Sequence, residues 1–268
     1  MIIIGEKING SIPSTAKAIA ARDETYIRGL ARRQAECGAE YLDVNAGTTP
    51  EQERDTLRWL ISLVQDEVDT PICIDSSNPE VILEMIPGVK KPGMINSVSD
   101  EARKCERLFP HVAKSEWKII ALTCDDNGIP TDPDVKYSVA RTIIEKAAVH
   151  GIARDRLFVD ALVNTIGTTP EAQISFSAAV REIKRTWPEV HITSGLSNIS
   201  FGMPFRKAIN MSFLTLAMRA GMDSAIMDPT DRDMLGMLYA TQVLLAQDED
   251  CVDYLMAYRD GLFGAKKS

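Results

Sequence analysis

Two short runs, Tyr41-Leu42-Asp43-Val44-Asn45 and Ile72-Cys73-Ile74-Asp75-Ser76, flank a long segment, Thr49 to Glu67, and this stretch decides the fold. Tyr41 to Val44 and Ile72 to Ile74 are apolar and rich in β-branched residues, the signature of short buried strands. Between them Leu57, Leu60, Ile61 and Val64 recur at helical spacing, one apolar stripe on an otherwise polar helix. Each run ends in polar residues, Asp43 and Asn45 in the first, Asp75 and Ser76 in the second.

The same alternation repeats outward in both directions. Further strand-like runs are Ile2 to Ile4, Met94-Ile95, Lys118 to Leu122, Leu157 to Val159, His191 to Thr193 and Ser224 to Met227. Helical patterns run from Thr25 to Cys37 before Gly38, from Asp134 to His150 before Gly151, and from Phe205 to Ala220 before Gly221, each glycine being a helix stop. Pro170 to Trp187 opens on a proline, where a helix tolerates one, and stops at Pro188. Asp231 to Ala246 is the last regular helix and Cys251 to Arg259 a terminal extension. Eight strands in 268 residues recur about every 33 residues. Strands alternating with helices imply a parallel sheet covered by helices. Closed on itself this is a (β/α)8 TIM barrel, one domain over residues 1–268; an open doubly wound sheet is the rival, and length and strand count favour the barrel. No linker rich in Gly, Ser and Pro interrupts the pattern, and the tail Ala265-Lys266-Lys267-Ser268 is expected to fray.

Composition removes several function classes. Thirty basic against thirty-eight acidic residues leave a net charge of −8, which argues against a nucleic-acid binder tracking phosphates. Apolar residues at 45% and charged residues at 25% are those of a globular chain, so disorder is excluded. No apolar run reaches the roughly 18 residues of a membrane span. Met1-Ile2-Ile3-Ile4-Gly5-Glu6 turns polar too soon for a signal peptide, so the expected compartment is the cytoplasm. Five scattered cysteines with no C-x-x-C pair are expected to be reduced, mostly buried thiols.

Nearly every strand ends in an acid, amide or hydroxyl: Glu6, Asp43 and Asn45, Asp75 and Ser76, Asn96 and Ser97, Thr123, Asp160, Ser197 and Asn198, Asp228. Such residues also cap the helix that follows, and Asn78-Pro79 and Thr169-Pro170 read as caps. In a barrel, however, all the strand ends converge on the C-terminal face, where active sites sit. A ring of acids and amides with few cations suits a neutral, donor-rich heterocycle better than a phosphate. Neither a G-x-x-x-x-G-K-[ST] nor a G-x-G-x-x-G phosphate loop is present. His111, His150 and His191 read as surface or helix-end residues, no zinc ligand set is evident, and a bound metal is not expected.

Taken together, Ile4-Gly5-Glu6-Lys7-Ile8-Asn9-Gly10, Leu42-Asp43-Val44-Asn45, Ile74-Asp75-Ser76, Met94-Ile95-Asn96-Ser97, Val159-Asp160 and Gly195-Leu196-Ser197-Asn198 resemble the pterin-binding methyltransferase family over essentially the whole chain. That family includes methyltetrahydrofolate:corrinoid methyltransferases, tetrahydrofolate methyltransferases of glycine betaine demethylation and the folate domain of methionine synthase. The resemblance implies a barrel, usually a homodimer, with folate bound at its C-terminal mouth. It assigns Asp75, Asn96 and Asp160 to the pterin, whose amino-pyrimidinone N–H donors a carboxylate accepts, each such bond contributing about 1.5–3 kcal/mol. It sets Asn198 near N5, puts Ser197 and Arg206 in the same loop, and gives Glu6 and Asn9 the floor. Phe201-Gly202-Met203 departs from the family, where this loop is typically more polar, and bears on which partner docks there.

The implied reaction moves a methyl group between N5 of tetrahydrofolate and the cobalt of a corrinoid. No histidine, lysine or tyrosine falls at a matching strand end to act as a dedicated acid, so Asn198, with Asp160 and ordered water, is expected to stabilise protonated N5. The corrinoid is expected in trans on a corrinoid-binding protein, since the cobalamin-binding signature D-x-H-x-x-G is absent from the sequence. Either direction uses the same residues, and the altered Phe201-Gly202 loop inclines the reading toward demethylation. Dihydropteroate synthase shares the expected fold and pocket, but its N-V-T-P-D-S-F signature is missing. A non-catalytic folate-binding subunit would not need the full ring of Asp75, Asn96, Asp160 and Asn198. A thiol methyltransferase would need zinc ligands.

Overall fold

The computed structural model describes residues 1–265; the fraying expected of residues 266–268 lies outside them. The strands are β1 (Ile2–Asn9), β2 (Tyr41–Asn45), β3 (Ile72–Asp75), β4 (Met94–Val98), β5 (Lys118–Leu122), β6 (Leu157–Asp160), β7 (His191–Thr193) and β8 (Ser224–Met227). They form one parallel sheet in the order β7-β6-β5-β4-β3-β2-β1-β8. The circle closes where Ile226 N–H donates to Ser194 O (3.0 Å) and Asp223 N–H to Ile192 O (3.2 Å), with a parallel bridge between Gly195 and Ile226. The fold is a (β/α)8 barrel.

The covering helices are α1 (Pro13–Ala20), α2 (Glu24–Glu36), α3 (Pro50–Glu67), α4 (Pro79–Met85), α5 (Lys104–Val112), α6 (Pro133–Val149), α7 (Ala172–Thr186), α8 (Arg206–Ala220), α9 (Arg232–Leu244) and α10 (Val252–Arg259). Two of them, α1 and α5, are absent from the sequence reading, and of α4 it marked only the cap at Asn78-Pro79. Helices α1 and α4 are each only about two turns long, and α5 carries Pro110 inside it, a residue that ordinarily ends a helix. Asn78 caps α4, its side chain accepting Glu80 N–H at 3.0 Å, as expected. Thr169 does not cap α7, which starts at Ala172 after Glu171; Thr169 offers only its main-chain carbonyl to Ala172.

Strand alternation explains both the apolar runs and the polar ends. Ile72 and Ile74, Ile95, Ile119 and Ala121, and Leu157 and Val159 face outward into the core shared with the helices. Cys73, Met94, Ile120 and Phe158 face inward and, with Ile4, fill the barrel. Both faces are buried, so the strands read as continuous apolar runs. The period of two then carries the inward line upward from Cys73 to Asp75, from Met94 to Asn96 and from Phe158 to Asp160. Gly10 and Gly47 let the loops after β1 and β2 touch: a Cβ on Gly47, itself at φ +57°, would lie 2.4 Å from Gly10 Cα. All five cysteines are unpaired, with Cys73, Cys105 and Cys124 buried and Cys37 and Cys251 half-buried. No helix among the described residues is long and apolar enough to cross a membrane.

Candidate active site

The C-terminal ends of the strands surround a cavity of about 640 Å³. Its wall includes Glu6, Asn9, Asp75, Asn96, Ser197, Asn198 and Arg206 and leaves out the strand-end residues Asn45, Ser76, Ser97 and Thr123. All but one of the residues that the resemblance assigned to the site therefore meet there. The exception is Asp160, which is 4% exposed and lies behind the wall. A larger cleft of about 810 Å³ between α1 and the start of α3 holds none of these strand-end residues.

On the β2–β4 side, Asp43 and Asp75 form a pair. Asn96 Nδ2 donates to Asp43 Oδ1 (3.1 Å) and Asn45 Nδ2 to Asp75 Oδ2 (2.9 Å). Burial raises the proton affinity of both carboxyls, and the charge of Asp43 raises that of Asp75 further. Two adjacent buried carboxylates do not both ionise readily, so the pair shares a proton and offers both a donor and acceptors. Glu6 stands beside them. Burial first, then the Asp228 carboxylate, pushes it up to about 7. Asp228 itself is paired with Lys7 at 2.9 Å and accepts Thr230 N–H.

On the β6–β8 side, burial pushes Asp160 up to about 6, while the N–H groups of Leu162 (2.7 Å to Oδ1) and Gly195 oppose it. Asn198 sits on the 3-10 turn Leu196–Ser200, directly after the closure of the barrel. Gly195 makes room for it, since a Cβ there would come 3.0 Å from Asn198 Nδ2. Among the described residues no hydrogen-bond partner of the Asn198 amide is found, which leaves it free for a ligand. Arg206, in the first turn of α8, donates to Ser197 O (2.7 Å) and Ser200 Oγ (3.0 Å) and stacks 4.8 Å from the Phe201 ring. Its guanidinium therefore braces the Asn198 turn.

Helix capping does not account for these groups. The caps of α2, α6 and α9 are Asp23, Asp132 and Asp231, whereas Asp43, Asp75 and Asn96 bond side chain to side chain. The sequence had marked Asp43 only as a strand end; its pairing with Asp75 makes it part of the site. Asp228, like Asp43 marked only as a strand end, also lines the cavity, as do Lys7, a lysine near the end of β1 where the sequence reading expected none, and Asn210, which lies inside α8 and carries no local signal. The histidines lie elsewhere, and His191 bonds Asp223 at the opposite end of the barrel. Among the described residues, no three His, Cys, Asp or Glu side chains are placed to hold a metal ion.

A barrel whose mouth offers acids and amides, and whose neighbouring cations are tied up with protein groups, belongs to the class that grips a neutral, donor-rich heterocycle. The chain belongs to the pterin-binding enzyme family, whose pattern matches residues 9–228. It is 47% identical over 266 residues, 98% of each chain, to the methylcorrinoid:tetrahydrofolate methyltransferase of Eubacterium limosum. It is 28% identical over 239 residues to the methionine synthase of Mycobacterium tuberculosis, matching 84% of this chain and 20% of that one. Its fold resembles the dihydropteroate synthases of Xanthomonas albilineans with 4-aminobenzoic acid (TM-score 0.69, 20% identity, 92% and 93% of the chains) and of Coxiella burnetii with pteroic acid (TM-score 0.67, 17% identity, 90% and 94%).

Proposed function

We propose that this chain is a methyltransferase that moves a methyl group from the cobalt of a methylcorrinoid to N5 of tetrahydrofolate. The observation that carries the reading is the 47% identity to the Eubacterium limosum enzyme across 98% of both chains, joined to the ring of acids and amides around the mouth. In this reaction the N5 lone pair attacks the methyl carbon, the carbon–cobalt bond breaks with both electrons left on cobalt, and N5 releases its proton to water. Asp75 with Asp43, and Asn96, hold the amino-pyrimidinone edge, and Asp160 supports it from behind the wall. The free amide of Asn198 turns its oxygen to the charge that develops on N5–H. Ser197 and Arg206 hold that amide's turn, and Glu6 and Asn9 close the floor. The corrinoid arrives on a partner protein; the reading includes a homodimer, the cytoplasm as compartment, and no metal held by the chain itself.

The test is anaerobic: methylcobalamin and tetrahydrofolate are mixed with the protein, and loss of the methylcobalt absorbance is followed. Asn198→Ala is expected to lower turnover about 10²- to 10³-fold, and Asp160→Asn to weaken it. Tetrahydrofolate binding without turnover, even with a corrinoid protein added, would make the chain a binding subunit. Absence of binding would remove the pterin reading.

A further inference from the structure

We infer that Lys136 is a positioning residue of this reaction site: from α6 it clamps the turn that carries Asp160 and supplies the positive charge that this carboxylate faces. The inference rests on the folate-binding reading of Asp160. Lys136 lies in the first turn of a surface helix, yet it is 0% exposed. Its Nζ donates to Leu162 O at 2.6 Å. Leu162 is held at φ +45°, a left-handed conformation that costs a residue with a Cβ about 1–2 kcal/mol. The N–H of the same residue donates to Asp160 Oδ1. Leu162 is thus gripped by its carbonyl from Lys136 and by its N–H from Asp160. The loop runs on to Thr165, whose hydroxyl donates to Phe201 O (2.7 Å), and to Ile166, whose N–H donates to Ile199 O (2.9 Å), so it also fastens the turn bearing Asn198.

Packing alone does not explain a lysine here. Among the described residues its ammonium has one hydrogen-bond acceptor, a neutral carbonyl, and a methionine would fill the space at lower desolvation cost. The charge is accounted for by Asp160, on which it acts. The other groups facing the Asp160 carboxyl are uncharged, Gly195 N–H from beyond β7 and Leu162 N–H from its own loop, while Thr123 N–H at the end of β5 bonds the Asp160 main-chain carbonyl (3.0 Å). Glu6, Asp43 and Asp75 belong to β1, β2 and β3, across the barrel. Burial holds Lys136 near 8, so it is cationic at neutral pH.

Lys136→Met removes the charge, and Lys136→Arg keeps it. In the free protein, the Asp160 carboxyl is titrated by ¹³C NMR and assigned by its loss in Asp160→Asn. The expected result is a midpoint raised by about one pH unit in Lys136→Met and unmoved in Lys136→Arg. Tetrahydrofolate affinity at pH 6.5 should then fall about threefold in Lys136→Met, the deficit approaching tenfold well below pH 6 and vanishing toward pH 8 as both forms of Asp160 ionise. An unmoved midpoint, or a loss of affinity equal at every pH, overturns the inference. If Lys136→Met does not fold, Lys136→Gln, which keeps a donor for Leu162 O without the charge, carries the same test. A wild-type protein that binds no tetrahydrofolate at any pH would instead overturn the functional reading, and with it the reaction role of Lys136.

Discussion

The two ends of the barrel use the same residue types in opposite ways. At the N-terminal end, just before β8, Asp223 accepts Ile192 N–H (2.7 Å), Lys184 Nζ (3.2 Å) and His191 Nδ1 (3.1 Å), and these partners outweigh burial and hold its carboxyl below the usual range. Nearby, the buried Arg156 places Nε and Nη2 on Trp117 O, Nη1 on Ala113 O and a further Nη2 bond on Val112 O, stitching the end of α5 to the starts of β5 and β6. At the C-terminal end, Glu6, Asp43, Asp75 and Asp160 are all pushed up, burial being the first cause each time. One end has its charges satisfied by the protein. The other holds acids that neutral amide and N–H donors only partly offset against burial, which is the division between stability and chemistry that this fold allows.

The sharpest way to break the contrast is at the satisfied end. Arg156→Met removes the guanidinium from Trp117 O, Ala113 O and Val112 O, of which Val112 O keeps Ser115 as a donor, and should cost about 3 kcal/mol, read as a lowered melting temperature, while turnover at 25 °C stays near wild type. A large loss of turnover with no loss of stability would erase the distinction. The converse change, Asp75→Asn, should raise the KM for tetrahydrofolate about 10- to 100-fold. Its melting temperature should hold or rise, because a buried acid next to Asp43 is removed. Glu6→Gln probes the same point with pH. The folded protein binds the Glu6 proton more tightly than the unfolded chain does, so this group's contribution to stability is full at low pH. It is lost as pH climbs from the ordinary carboxyl range to about 7. The stability advantage of Glu6→Gln over wild type should therefore grow between pH 4.5 and about 7 and then level off; melting curves at several pH values test it.

Much of this was legible in the sequence. The eight strands lie where the apolar runs place them, with β1 and β4 extended into Asn9 and Val98. The residues of the mouth were marked by one recurring oddity, a polar group at the end of a buried run. Helices α1 and α5 were not legible, and α4 only by its cap at Asn78, all three being short or interrupted by proline. Lys136 was not either: a lysine early in a helix reads as solvated, and here tertiary packing buries it. Thr169 looked like a cap because of Pro170 after it, but the chain turns once more before α7 begins.

The sequence by itself determined that strands and helices alternate, that each strand is buried on both faces, and that the polar ends share one face. Those properties follow from periodicity along the chain, and periodicity is a one-dimensional quantity. Only the tertiary structure decided that Asp43 meets Asp75, that Asp160 stands behind the wall with Lys136 at its back, that Arg206 braces a turn, and that the Asn198 amide stays free. Proton affinity and hydrogen-bond supply depend on burial and on distances between residues far apart in the chain, and these exist only once the barrel has closed.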